Sequence, residues 1–128
     1  MSTTTTRTIQ HRIAGEEVAG SSTRTAPVFD PATGQVQAEV ALADARDVDR
    51  AVKAARTAFE DWQDVSLSRR ARIMFRFRGL VDQHVDELAR IVSSEHGKVF
   101  SDAKGEVIRG QEVVEYACGL AQLLKGEY

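Results

Sequence analysis

The length, composition and charge of the chain indicate one ordinary globular domain and exclude several classes of protein. It has 128 residues, 42% hydrophobic and 28% charged, and its formal net charge is −2. This balance gives no electrostatic reason to expect a nucleic-acid partner. A single cysteine excludes an intramolecular disulfide, and no apolar run is long enough for a membrane span. We therefore expect a cytoplasmic protein that binds neither nucleic acid nor membrane.

Residues 1–10 are predicted to be a polar, disordered leader. The opening residues are mostly threonine and lack the apolar core of a secretory signal. A frayed polar terminus is the simpler interpretation. A mitochondrial leader is the alternative, because the segment contains arginine and no acid precedes Glu16.

Residues 11–43 are predicted to form a β ribbon. Residues 12–18 have the pattern of a strand, a glycine-containing turn and a return strand. Pro27 indicates that the next extended segment lies at a sheet edge. Pro31 and Gly34 mark a turn, and residues 35–40 alternate polar and apolar as a half-buried strand does.

Residues 44–126 are predicted to form three or four helices, which makes the chain an α/β protein. The first helix runs from an N-cap at Asp44 to Trp62 and carries an apolar stripe on one side. Ser66 or Ser68 caps the second helix, and a third ends at Gly97. The last is expected to run from near Ser101 to near Gly126, and to have two apolar faces. One face comprises Val107, Val114, Cys118 and Ala121, and the other Val113, Tyr116, Leu120 and Leu123.

A helix that is apolar on two sides needs partners on two sides. The remaining predicted elements are too few to supply both, so the sequence is expected to belong to something larger.

The sequence contains no glycine-rich nucleotide-binding loop and no metal-ligand spacing. Gly105 and Gly110 lie within a helical pattern and are predicted to be close-packing points. Cys118 is the only thiol, and a buried structural role is favoured because no histidine is near it in sequence. His11, His84 and His96 are too scattered to predict a zinc site.

Five arginines cluster in the second helix, and they have two interpretations. They could meet phosphates or the acids of a partner, or form a solvated face with salt bridges to Asp82, Asp86 or Glu87. The solvated face is favoured. The cluster consists of Arg69, Arg70, Arg72, Arg76 and Arg78.

Arg109 is the candidate binding residue because it falls on a mainly apolar face of the last helix. A guanidinium there needs an anionic or polar partner. Glu106 and Glu112, each three residues away, are possible internal partners. A ligand carboxylate held bidentately is the alternative.

Four segments of the sequence resemble the aldehyde dehydrogenase family. Residues 28–36 (VFDPATGQV) are similar to its proline turn, although Asp30 stands where asparagine is usual. Residues 55–62 (ARTAFEDW) match the end of its first helix, and residues 95–98 (EHGK) match its E-x-G-K motif. Residues 102–117 are similar to the corresponding helix of methylmalonate-semialdehyde dehydrogenases, most tellingly at Arg109-Gly110.

The resemblance implies that residues 11–128 are the amino-terminal segment of an NAD-binding domain. It implies an NAD-dependent oxidation of malonate or methylmalonate semialdehyde in which coenzyme A accepts the acyl group. It also implies that Arg109 binds the substrate carboxylate and that the complete enzyme is a homo-oligomer. The catalytic cysteine and the NAD-binding segments lie beyond Tyr128 in the family. We therefore expect the isolated chain to be a catalytically incomplete fragment that binds no cofactor; the alternative is a non-catalytic helical interaction module.

Overall fold

The computed structural model describes residues 7–126, and the chain divides into two compact units, residues 1–64 and 65–128. The described part of the first unit contains all five strands and one helix, and that of the second contains helices only. The predicted α/β class is confirmed. The strands are β1 (Arg7–Ile9), β2 (His11–Ile13), β3 (Glu16–Val18), β4 (Thr25–Phe29) and β5 (Val36–Ala41). The helices are α1 (Ala45–Trp62), α2 (Leu67–Gln83), α3 (Val85–His96), α4 (Phe100–Ala117) and α5 (Leu120–Leu123).

The strands form a three-stranded sheet of order β1-β5-β4 and a β2-β3 hairpin. β4 is an edge strand, as Pro27 predicts, since proline cannot donate to a second neighbour. The turn between β4 and β5 is closed by Gly34, whose N–H donates to the Asp30 carbonyl at 2.8 Å. Gly34 has φ 71°, a conformation that glycine adopts without steric cost. The predicted turn is therefore confirmed.

The strand β1 corrects the prediction of a leader over residues 1–10. Arg7–Ile9 pair with β5 in parallel, with Arg7 opposite Ala38 and Ile9 opposite Val40. This part of the prediction was wrong because it rested on side-chain polarity, whereas ladder hydrogen bonds are made by the backbone. Residues 1–6 lie outside the described residues.

Helix α1 begins and ends where the sequence predicts. The Asp44 side chain accepts hydrogen bonds from the N–H groups of Arg46 and Asp47, while the Asp47 carboxylate accepts from the Asp44 N–H, which completes a capping box. The predicted apolar stripe exists, but its large residues are exposed, Val52 by 61% and Phe59 by 56%.

The second unit is a helical bundle in which α4 packs against α2 and α3. Ser66 caps α2 by accepting the Arg69 N–H, and Gly97 ends α3 with φ 78°, both as predicted. The packed interior is narrow: the fully buried apolar residues are Ala89 and Ala103, with Gln111 and Cys118 almost as buried. Small side chains at these positions let the helices approach closely.

The last helix is shorter than predicted. α4 ends at Ala117, and a turn at Cys118 and Gly119 separates it from the single turn of α5. The Gly119 N–H donates to the Tyr116 carbonyl at 3.1 Å, which is the tighter i to i−3 bond that ends many helices. The prediction of one helix to near Gly126 was wrong because it followed apolar spacing across this glycine.

Within residues 7–126, no helix combines the length and apolar character needed to cross a membrane.

Candidate functional site

Arg109 lies on the exposed side of α4. Its Nη1 atom lies 3.9 Å from the position that a Cβ at Gly105 would occupy, so the side chain extends back over the preceding turn. Within the described residues, no hydrogen bond or ion pair engages its guanidinium. The predicted internal pair with Glu106 or Glu112 is therefore not formed as a direct contact.

Glu106 is instead bound by Lys98, whose Nζ contacts Glu106 Oε1. Lys98 follows the residue that ends α3, so its ammonium reaches the second turn of α4 from the connecting loop. The hydrogen bond from Lys98 lowers the pKa of Glu106 below its ordinary value, and the charges of His96 and Arg109 lower it further. Glu106 thus stays ionised among three basic side chains.

The surface next to Arg109 is apolar and exposed. Val113 is 68% and Tyr116 70% exposed, whereas Gln111 on the other side of α4 and Cys118 just after its end are buried. The two apolar faces were predicted for a helix that runs to near Gly126. Within α4 itself, Val107 and Val114 of one face are half-buried, while Val113 and Tyr116 of the other are exposed in the described chain. An exposed cation beside exposed apolar side chains can hold an anionic group on an otherwise apolar molecule.

Cys118 is buried, as predicted. Its Sγ donates to the Val114 carbonyl at 3.4 Å, and its exposed fraction is 7%. In the described chain the thiol contacts a backbone carbonyl, which cannot take its proton to generate a nucleophilic thiolate. The proposal that it is structural is consistent with this geometry.

The predicted close-packing role of the two helical glycines is not met in the described chain. Only Arg109 Nη1 comes within 4 Å of a Cβ built at Gly105, and nothing comes within 4 Å of one at Gly110. The close-packing role of Gly105 and Gly110 therefore stays a prediction, because no other element of the described chain packs on them.

No group of three metal-ligating side chains occurs among residues 7–126, so the histidines form no metal site there. His84 Nδ1 lies 2.8 Å from Glu87 Oε2 on the surface, and His11 Nε2 lies 3.9 Å from Asp47 Oδ2.

In the arginine cluster on α2, Arg78 is paired with acidic side chains. Arg78 forms ion pairs with Asp82 at 3.6 Å and with Glu115 at 3.5 Å, which confirms the predicted solvated face at this residue. The other predicted acids are engaged elsewhere, Asp86 by Lys104 and Glu87 by His84. A shallow cavity of about 460 Å³ is lined by Arg69, Arg72, Phe75 and Arg76.

Asp47 is a structural residue that the sequence analysis overlooked. Its carboxylate is buried and accepts the Ser21 N–H at 2.9 and 3.1 Å and the Asp44 N–H at 3.0 Å. These backbone hydrogen bonds, that of Asp44 first, lower the pKa of Asp47. The Asp44-x-x-Asp47 spacing of a capping box was the sequence signal that could have identified it.

The start of α1 does not favour a nucleotide pyrophosphate. In nucleotide-binding folds a helix that follows a strand presents free N–H groups to the phosphates. The helix that follows β5 begins with Asp44 and Asp47, whose carboxylates already bind the N–H groups there. This helix start is therefore negatively charged and would repel a phosphate.

Comparison with known proteins identifies the class of protein to which this fold and sequence belong. The sequence profile of the aldehyde dehydrogenase family matches residues 18–128. The chain belongs to this family.

Its similar relatives include semialdehyde dehydrogenases. The chain is 48% identical over 124 residues to malonate-semialdehyde dehydrogenase 3 of Geobacillus kaustophilus, covering 97% of this chain and 26% of that protein. It is 44% identical over 121 residues to malonate-semialdehyde dehydrogenase of Pseudomonas aeruginosa, covering 94% and 24%. Among solved structures, a Sinorhizobium meliloti 1021 protein assigned as a methylmalonate-semialdehyde dehydrogenase, complexed with NAD, superposes with a TM-score of 0.91. That comparison has 42% identity and covers 97% of this chain and 25% of that one. The chain thus spans about a quarter of the length of these relatives.

Proposed function

We propose that this chain is the amino-terminal segment of an NAD-dependent, coenzyme A-acylating malonate- or methylmalonate-semialdehyde dehydrogenase, in which Arg109 binds the substrate carboxylate. The observation that carries the proposal is the state of Arg109. Its guanidinium is exposed on α4 beside an apolar surface, and no carboxylate among residues 7–126 makes an ion pair with it.

The chemistry of the substrate explains why an arginine would be needed there. A malonate-type semialdehyde carries a carboxylate three atoms from its reacting carbonyl oxygen, and an apolar aldehyde pocket would reject that charge because burying it unpaired is costly. A guanidinium fork can donate hydrogen bonds to both carboxylate oxygens in one plane. Arg109 would thus select the substrate class without taking part in bond making.

The remaining components of the reaction belong to the same proposal. The nucleophilic cysteine, the NAD-binding groups and the coenzyme A site would be supplied by parts of the dehydrogenase other than residues 7–126. A homo-oligomeric, cytoplasmic enzyme is part of the same proposal, and the single buried thiol is compatible with a cytoplasmic one. The isolated chain is expected to form no NADH from NAD and malonate semialdehyde, as followed by absorbance.

The proposal is tested by substrate discrimination in a complete dehydrogenase that carries this segment. Arg109→Ala is expected to lower kcat/KM for malonate semialdehyde by about tenfold to a hundredfold, because a charged hydrogen-bonded contact is lost. The rate with propanal, which has the same carbon chain and no carboxylate, should change less than about threefold. Arg72→Ala on α2 is the matched control and should alter neither rate. Equal losses with both aldehydes in Arg109→Ala would contradict the role of Arg109.

A further inference from the structure

The arrangement of Lys98, Glu106 and Arg109 raises the question of why Arg109 is unpaired. Glu106 precedes Arg109 by three residues on α4, the spacing at which acidic and basic side chains commonly pair on a helix. The Arg109 side chain extends back over the preceding turn, where its Nη1 atom lies over Gly105, and its charge acts on the Glu106 carboxylate. Without another partner for Glu106, these two residues would be expected to neutralise each other.

Lys98 prevents this by occupying Glu106 from a fixed position. The Lys98 carbonyl accepts a hydrogen bond of 2.6 Å from Ser93 Oγ, and the preceding residue, Gly97, ends α3 in the left-handed conformation. The backbone at Lys98 is therefore fixed by the hydrogen bond from Ser93 and by the conformation of Gly97. Its side chain is 20% exposed, compared with 45% for Glu106, so Lys98 is the more constrained member of the pair.

The electrostatic effects on Glu106 also indicate that Lys98, and not Arg109, is its main partner. The groups that act on its carboxylate are Lys98, His96 and Arg109, and Lys98 makes the largest contribution to its lowered pKa while Arg109 makes the smallest. Arg109 therefore interacts with Glu106 at a distance, and its guanidinium hydrogen-bond donors remain available.

We propose that Lys98 is a positioning residue: by binding Glu106 it keeps that carboxylate from neutralising Arg109, and so leaves Arg109 available for the carboxylate of an incoming ligand. This inference rests on the proposed function for the identity of the ligand. The pairing itself is a property of the chain alone.

The pairing is tested by nuclear magnetic resonance of the arginine side chains in the 128-residue chain. In Lys98→Met, Glu106 loses its partner and should pair with Arg109, which slows rotation of the Arg109 guanidinium and separates its Nη signals. Lys98→Arg keeps a cation at the position and should leave the signals averaged, as in the wild type. Lys98→Met combined with Glu106→Gln removes the competing charge and should restore averaging. Identical Arg109 signals in the wild type and Lys98→Met would overturn the proposal.

Titration with malonate, a stable dicarboxylate, then tests the consequence for binding. We expect the Kd read from the Arg109 Nε shift to rise about two- to fivefold in Lys98→Met, the range of a surface ion pair that must be displaced. It should return to the wild-type value in the double variant. A double variant that stays as weak as Lys98→Met would overturn the role of Lys98.

The same titration separates this inference from the proposed function. If malonate shifts Arg109 no more than the control Arg72 in the wild-type chain, the ligand assignment fails. If the Nη signals still respond to Lys98→Met in that case, the pairing stands and only its use for a carboxylate substrate is lost. Circular dichroism of each variant checks that it is folded, and Glu106→Gln alone, with no competitor present, should bind malonate at least as well as the wild type.

Discussion

Both carboxylate oxygens of Asp47 accept the backbone N–H of Ser21, at 2.9 and 3.1 Å, although the two residues are 26 positions apart in the chain. The same carboxylate caps α1 through the Asp44 N–H. One buried side chain therefore ties the loop before β4 to the start of α1. The arrangement satisfies two backbone donors that would otherwise lose their solvent partners.

Asp47→Asn is expected to destabilise the chain, because the amide offers one acceptor oxygen where the carboxylate offers two. The Ser21 and Asp44 N–H groups would then compete for a single oxygen. We expect the thermal midpoint to fall by several degrees, as measured by circular dichroism. Asp49→Asn, on an exposed position of the same helix, is the matched control and should leave the midpoint almost unchanged. Equal midpoints for the two variants would contradict the assigned role of Asp47.

Acid should lower the folding stability of the chain, because Asp47 becomes protonated. Its pKa is lowered in the folded state by hydrogen bonds from Asp44 and Ser21, so the unfolded chain binds the proton more readily. The stabilisation is therefore fully present above the pKa of the unfolded state, the ordinary aspartate value near 3.8, and is lost as the pH falls through the lower pKa of the folded state. Urea midpoints measured between neutral pH and pH 3 should decline for the wild type, and the decline should be shallower in Asp47→Asn. Parallel curves for the two proteins would show that Asp47 does not contribute.

Gly34→Ala is expected to destabilise the turn between β4 and β5. Nothing lies within 4 Å of a Cβ at this position, so the cost is that of the backbone conformation, φ 71°, and amounts to about 1–2 kcal/mol. Gly79→Ala inside α2 is the matched control. It also meets no neighbour, and it should stabilise the chain by about 0.5–1 kcal/mol because alanine loses less backbone entropy in a helix. Urea unfolding gives both values, and a sign that is the same for the two substitutions would contradict this account.

The thiol of Cys118 should be protected in the folded chain. It is 7% exposed and donates to the Val114 carbonyl, so a thiol reagent can reach it only when α4 and α5 open. Labelling with a chromogenic disulfide should be slow in buffer and immediate in denaturant. Fast labelling in buffer, at the rate of a free thiol, would show that the site is open to solvent.

Local signals in the sequence predicted most of the helices correctly. Asp44, Ser66 and Gly97 each act within one helical turn, since a cap or a left-handed residue satisfies groups that are three or four positions away. The turn at Gly34 is also local, because its hydrogen bond joins residues only four positions apart. The end of α4 is an exception, because the apolar spacing continued through Gly119 while the backbone did not.

The candidate site was only half predictable. Arg109 could be singled out because a cation on an apolar helix face is unusual, and its helical neighbours could be named from the period of the helix. The ion pair of Lys98 with Glu106 was missed because Lys98 lies in the loop before α4. Helical spacing does not predict where the side chain of a loop residue points.

By itself the sequence determined the local structure: where the helices start, where the turns fall, which faces are apolar and to which family the segments are similar. Only the tertiary structure decided the parallel pairing of β1 with β5, the burial of Asp47 against Ser21 and the partner of Glu106. Each of these joins residues whose separation in the chain exceeds a helical turn. Their formation depends on the packing of whole elements, which the period of a single element cannot specify.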